Sequence, residues 1–144
     1  MGIVKTFKRK ILNIKNILSN KKLTIENKNI IITGSNSGIG LSLLKILSGT
    51  NRILALVNKN SDEVDKIIDD KNMIIKSDFN DLENLLNYHE RIIKFKTNIV
   101  FNCAASFGDE DQLIENISLK NYQRAINVNC LSQFSIIQSC IKSK

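Results

Sequence analysis

The sequence predicts an α/β fold: one parallel sheet of four strands in the order 3-2-1-4, with helices on both faces. Three observations lead there. Short, almost purely apolar runs of strand length alternate four times with amphipathic stretches of helical period. The first strand passes into its helix through a glycine-rich turn. Hydrophobic residues make up 42% of the 144 residues and charged residues 24%, the balance of a chain that packs one core and is too short for two. The strand order follows from right-handed crossovers between successive parallel strands.

Taken in order, the first element is a basic amphipathic helix. Ile3, Phe7, Ile11, Ile14 and Leu18 recur at helical spacing among lysines and Arg9. It belongs to an extension over residues 1–25 that carries seven Lys/Arg and no acid. Residues 26–144 carry fourteen residues of each sign, so the net charge of +7 resides in the arm. A nucleic-acid-binding body would carry that excess on its folded surface, and no nucleic-acid partner is expected. The arm has two readings, a helix packed on the body or a peripheral contact with an anionic membrane surface or acidic partner. Met1–Thr6 also fits the short N-myristoylation pattern. Lysines interrupt the apolar residues, so no secretory signal is read here, and no apolar run is long enough to cross a membrane. Cys103, Cys130 and Cys140 are odd in number and lack Cys-x-x-Cys spacing, which reads as buried reduced thiols. The expected location is cytoplasmic, or peripheral at a membrane surface.

The body is then residues 26–144, entered through a linker over 20–28. Asn29–Thr33 is the first strand, and a helix follows over Ile39–Leu47. Arg52–Val57 is the second strand. Ser61–Asp70 reads as a helix capped by Ser61, with two acids in its first turn. Met73–Lys76 is the third strand. Asn80–Phe95 reads as one helix opened by a capping-box-like Asn80/Glu83 pair. Asn98–Asn102 is the fourth strand and Leu119–Ile141 a long final helix. Tyr122, Ala125, Ile126, Asn129, Gln133, Ile136, Ile137 and Cys140 share one broad stripe of that helix. A second apolar stripe (Cys130, Phe134, Ile137, Ile141) is left over, which points to a homo-oligomer or a complementary chain through residues 119–141. His89 falls with Leu82, Leu85, Leu86 and Ile93 and reads as a packed histidine. Asp109, Glu110, Asp111 and Glu115 read as a solvated charge run, and no metal site is expected.

The chemistry sits in Thr33-Gly34-Ser35-Asn36-Ser37-Gly38-Ile39-Gly40, between the first strand and its helix. A pyrophosphate held there needs a tight turn, close backbone approach and the unpaired N–H groups of a helix N-terminus. Gly34, Gly38 and Gly40 supply those freedoms. A Walker A loop is excluded, because no Gly-Lys-Ser/Thr follows.

The spacing Gly-x-x-x-Gly-x-Gly after Thr33 resembles the fingerprint of the classical short-chain dehydrogenase/reductase family. Asp78-Phe79-Asn80-Asp81, after the third strand, is similar to the acidic motif whose first Asp bonds the adenine amino group. Asn102-Cys103-Ala104-Ala105 resembles the family's Asn-Asn-Ala-Gly motif, with Cys103 and Ala105 as departures. Val128-Asn129 resembles the motif whose Asn joins the catalytic tetrad. The resemblance spans residues 29–144 and implies a Rossmann-like sheet and reversible hydride transfer between a nicotinamide and an alcohol or carbonyl. It implies cofactor contacts from Gly34, Ser35, Asn36, Gly38, Ile39, Gly40, Asn58, Lys59, Asp78, Phe79, Asn102 and Ala104, with Asn129 as the one catalytic-motif residue. Near the end of the second strand, Leu56-Val57-Asn58-Lys59 offers a lysine and no carboxylate, which favours NADP over NAD. The family's Tyr-x-x-x-Lys is missing: Tyr88 is followed four residues later by Ile92, and Tyr122 by Ile126. The expectation is a cofactor-binding portion without its acid/base pair. A non-catalytic nucleotide-binding or interaction module, or a gene remnant, is the alternative.

Overall fold

A computed structural model describes residues 24–107 and 113–142. The basic N-terminal helix and Asp109–Asp111 of the charge run therefore lie outside the described residues. Four strands, β1 (Asn29–Thr33), β2 (Arg52–Val57), β3 (Met73–Lys76) and β4 (Ile99–Asn102), form one sheet in the order β3-β2-β1-β4. All three pairings are parallel, with Ile31 opposite Leu54 on one side and Val100 on the other. Fold class and strand order are as the sequence predicts.

Alternation along each strand divides the core into two layers. Ile30, Ile32, Ile53, Ala55 and Val57 face α1 (Gly38–Leu47) and α2 (Asp62–Asp65), meeting Leu44, Leu47 and Val64. Ile31, Leu54, Leu56 and Ile75 face the opposite layer. There they meet Leu85 of α3 (Leu82–Leu86), Ile92 and Phe95 of α4 (His89–Phe95), and Val128, Ile136 and Cys140 of the final helix. Because both faces of β1 and β2 are covered, these strands read as unbroken Ile/Leu/Val runs. Ile25, which the sequence reading placed in the arm, packs against the first of these layers.

Three helices differ from expectation. The segment over 61–70 is helical only for Asp62–Asp65. The Ser61 hydroxyl donates to Asp65 Oδ2 at 2.6 Å instead of capping, and only Val64 of the helix is buried. One buried residue gives a short helix little to hold it together. The helix over 80–95 is broken into α3 and α4 at Asn87 and Tyr88. Its cap is Asp81, whose side chain accepts from Asn84 N at 3.0 Å, so the Asn80/Glu83 pair is not the capping box. Asn80 is engaged elsewhere, accepting from Asn127 Nδ2 at 3.1 Å.

The final helix runs as α5 (Leu119–Ile126), a π-helical stretch (Asn127–Leu131) and α6 (Ser132–Lys142). Of the expected stripe, Gln133, Ile136 and Cys140 are buried, joined by Val128, Ser132 and Ser139, while Tyr122, Asn129 and Ile137 are exposed. The Val128 carbonyl accepts from Ser132 Oγ at 2.8 Å and Gln133 Nε2 at 3.2 Å, so side chains serve the distorted turn. No helix among the described residues is long and apolar enough to cross a membrane.

Candidate functional site

β1 pairs with β2 on one side and β4 on the other, so the chain reverses its direction of travel across the sheet beside β1. Ligands of open α/β sheets bind at that place, beyond the carboxyl ends of the strands. A cavity of about 510 Å³ lies there. Its wall includes the residues that follow each strand: Gly34 after β1, Asn58 after β2, Ser77 and Asp78 after β3, and Cys103 and Ala104 after β4.

The glycine turn is shaped by backbone constraints that can be named one by one. Gly34 has φ +64°, and a Cβ there would stand 2.9 Å from the Ala104 backbone. Gly40 is buried, and a Cβ on it would run into the Gly34 carbonyl, so this glycine lets α1 close on the turn. Gly38 has φ +50°, and nothing lies within 4 Å of the place its Cβ would occupy. That open space adjoins the N-terminus of a ten-residue helix, where N–H groups and the dipole favour an anion. The turn is anchored by Gly34 N–H donating to Leu56 O at 2.8 Å.

The expected site residues separate into two groups. Gly34, Asn36, Gly38, Ile39, Asn58, Asp78, Phe79 and Ala104 line the cavity. Ser35, Gly40, Lys59, Asn102 and Asn129 do not. Ser35 is fully buried and its hydroxyl donates to Ile32 O at 2.6 Å, so its side chain holds the turn instead of facing the cavity. Lys59 and Asn102 are exposed outside the lining. Asn129 makes a paired contact with one backbone unit: its Oδ1 accepts from Ser106 N–H and its Nδ2 donates to Ser106 O, each at 2.8 Å. It thus ties the π-helical turn to the loop after β4.

Sequence reasoning missed several members. Thr33 Oγ1 accepts from both Cys103 N and Ala104 N, at 2.9 and 3.0 Å, fastening the β4 loop to the end of β1. Arg124 is a cationic side chain on the cavity wall. It stands one helical turn before Val128, also on the wall, and that i, i+4 spacing was the available signal. Leu56, Phe79 and Val128 are buried apolar residues of the wall. Asp78 Oδ1 accepts from Asn80 N–H at 2.9 Å, which holds its carboxylate at the rim.

Cys103 also lines the cavity, and burial pushes its thiol pKa up; Cys140 is shifted the same way, chiefly by burial. Both therefore hold their protons at neutral pH and are poor nucleophiles. Cys130 is exposed, contrary to the expectation of three buried thiols. His89 is half-buried with its Nε2 2.8 Å from Ser135 Oγ, a structural pairing. Neither tyrosine lines the cavity: Tyr88 donates its hydroxyl to Lys76 O at 3.1 Å, and Tyr122 is exposed. Among the described residues, no group of three or more His, Cys, Asp or Glu is placed to hold a metal ion.

A glycine turn at the head of a helix, opening on a cavity at the reversal point of a parallel sheet, is the architecture of a Rossmann-like α/β domain. A profile of the short chain dehydrogenase family matches residues 28–143, and the chain belongs to that family. Solved structures with the same fold include a short chain dehydrogenase from Burkholderia cenocepacia in complex with NADP. It is 17% identical with a TM-score of 0.69, over 81% of this chain and 51% of that one. A short-chain dehydrogenase/reductase from Serratia marcescens is 20% identical with a TM-score of 0.70, over 82% and 51%. One from Burkholderia vietnamiensis is 16% identical with a TM-score of 0.70, over 79% and 56%. The chain thus spans about half the length of these structures. A search of curated proteins gives no match.

Proposed function

We propose that this chain is the nicotinamide-dinucleotide-binding portion of a short-chain dehydrogenase/reductase-type oxidoreductase. The family's reaction is hydride transfer between a nicotinamide and an alcohol or carbonyl. The observation that carries the reading is the open space at Gly38, a cradle that any Cβ would fill, set at the N-terminus of α1. When bound, the nicotinamide ring supplies the hydride chemistry. The chain's own residues bind and orient. Backbone N–H groups at the start of α1 meet the pyrophosphate, and Gly34 and Gly38 let it approach. Asp78 and Phe79 meet the adenine, and Asn58 the adenosine ribose. Ala104 belongs to the loop after β4, alongside the nicotinamide half, which Asn129 holds in place. NADP is favoured over NAD, because the residues directly after β2, Asn58-Lys59, include no carboxylate to bond a ribose 2′-hydroxyl.

A second reading, a nucleotide-binding module without turnover, is favoured by one specific observation. No Tyr-x-x-x-Lys occurs in these 144 residues, and neither tyrosine stands in the cavity. A positioned acid/base typically contributes about 10²–10⁴-fold to such a reaction. One experiment addresses both readings. Calorimetry of the purified chain should show NADP(H) or NAD(H) binding that Gly38→Val abolishes, while circular dichroism shows the variant folded. Equal affinity in wild type and variant would overturn the binding reading. Assays with a panel of alcohols and ketones should show no turnover by the chain alone. Robust NAD(P)H oxidation blocked by a nucleotide analogue would overturn the module reading.

A further inference from the structure

Ser77 is 2% exposed, lines the cavity, and its hydroxyl has no hydrogen-bond partner. Its backbone N–H donates to Val57 O at 2.8 Å, which extends the β2–β3 pairing by one residue. That extension sets the direction of the side chain. Ile75 faces the layer of α3, α4 and the final helix, and Ser77, two residues on, faces the same side. Ser77 shares the cavity lining with the buried apolar residues Leu56, Phe79 and Val128 of that same layer. Gln133 Oε1 is also buried without a partner, but Gln133 is not a lining residue. An unpaired hydroxyl in an apolar wall is costly unless something that enters the cavity bonds to it.

We propose that the Ser77 hydroxyl bonds the polar edge of the purine base of an adenine nucleotide seated in this cavity. The inference rests on the dinucleotide reading above and deepens it by naming the group that reads the base. Chemistry selects the ligand class. The occupant of this corner must present flat apolar faces to Leu56, Phe79 and Val128, and an edge that can hydrogen-bond. A purine does both: its ring nitrogens accept and its exocyclic amine donates, and a hydroxyl can serve either. The neighbouring Asp78 carboxylate only accepts, so the two side chains offer complementary partners to one edge.

The test compares the 144-residue chain with Ser77→Ala and Ser77→Cys, the second nearly keeping the shape while weakening the hydrogen bond. ADP and NADP⁺ are titrated into each by calorimetry, and thermal midpoints are measured without ligand. Loss of one neutral hydrogen bond should weaken ADP binding about 2- to 10-fold in both variants. NADP⁺ should weaken by the same factor, because the contact lies in the half the two ligands share. The unliganded midpoint should hold or rise, since an unpaired buried hydroxyl has been removed. Unchanged ADP affinity, or a loss for NADP⁺ alone, would overturn the assignment while leaving the dinucleotide reading intact. A lowered midpoint in both variants would make the hydroxyl part of the fold and also overturn it. If the wild type binds neither nucleotide, both readings fail together.

Discussion

The Thr33 hydroxyl accepts from two consecutive backbone N–H groups, Cys103 and Ala104, across the gap between the first and fourth strands. Thr33 is fully buried, so neither donor finds water on that side when the hydroxyl is removed. Thr33→Val keeps the shape and deletes the acceptor. It should cost about 1–3 kcal/mol in denaturant unfolding, the range for leaving buried donors unpaired. It should also loosen the loop that Asn129 grips from the other side. A change below a few tenths of a kcal/mol would show that the loop finds other partners. Residues of this kind are poorly legible in sequence. Gly34, Gly38 and Gly40 announce themselves because few turns demand three glycines at that spacing. A threonine ending a strand, or a serine such as Ser77 starting a loop, is ordinary until its neighbours are known.

At the scale of elements, the four strands were legible almost to the residue. A strand buried on both faces needs only an apolar run of the right length. Helices depended on more. Within the π-helical turn over Asn127–Leu131, Asn129 is exposed and Val128 buried, the reverse of what the 3.6-residue stripe predicts, although Gln133, Ile136 and Cys140 beyond it are buried as expected. The other face of that helix behaved as its pattern predicted. Cys130, Phe134, Ile137 and Ile141 are exposed, Phe134 at 66% and Ile141 at 65%. Among the described residues, β4 is an edge strand, paired only with β1. The two features predict association, and a double substitution separates them. Wild type should associate in analytical ultracentrifugation. Phe134→Glu with Ile141→Glu should abolish an association made by the helix face, and leave one made by the β4 edge. A dilute wild-type chain that stays monomeric would refute the expectation.

At the scale of the whole molecule, charge and core are carried by different parts of the chain. The seven cations without a counter-acid lie within residues 1–25, while the body is balanced. Ile25 packs on the core and its carbonyl accepts from Asn51 Nδ2 at 2.9 Å, so a clean removal of the arm ends at Leu23. Removing residues 1–23 should leave nucleotide affinity unchanged and eliminate adsorption to vesicles containing anionic lipid. Each Lys or Arg near such a surface contributes about 1 kcal/mol, so losing seven removes nearly all the attraction. Unchanged adsorption in a sedimentation assay would assign membrane contact to the body.

The sequence by itself determined the fold class and the position of the glycine turn, and its family resemblance with right-handed crossovers implied the strand order. The first two rest on local chemistry: apolar runs, short connections and the φ freedom of glycine. Only the tertiary structure decided which side chains meet at the cavity. It turned Ser35 inward, left Lys59 and Asn102 outside, and brought Arg124, Val128 and Ser77 to the wall. Those placements depend on the twist and packing of four strand ends and the final helix, distances that no local pattern encodes. The same reason explains Asn129, whose partner at Ser106 lies twenty-three residues away along the chain and a hydrogen bond away in space.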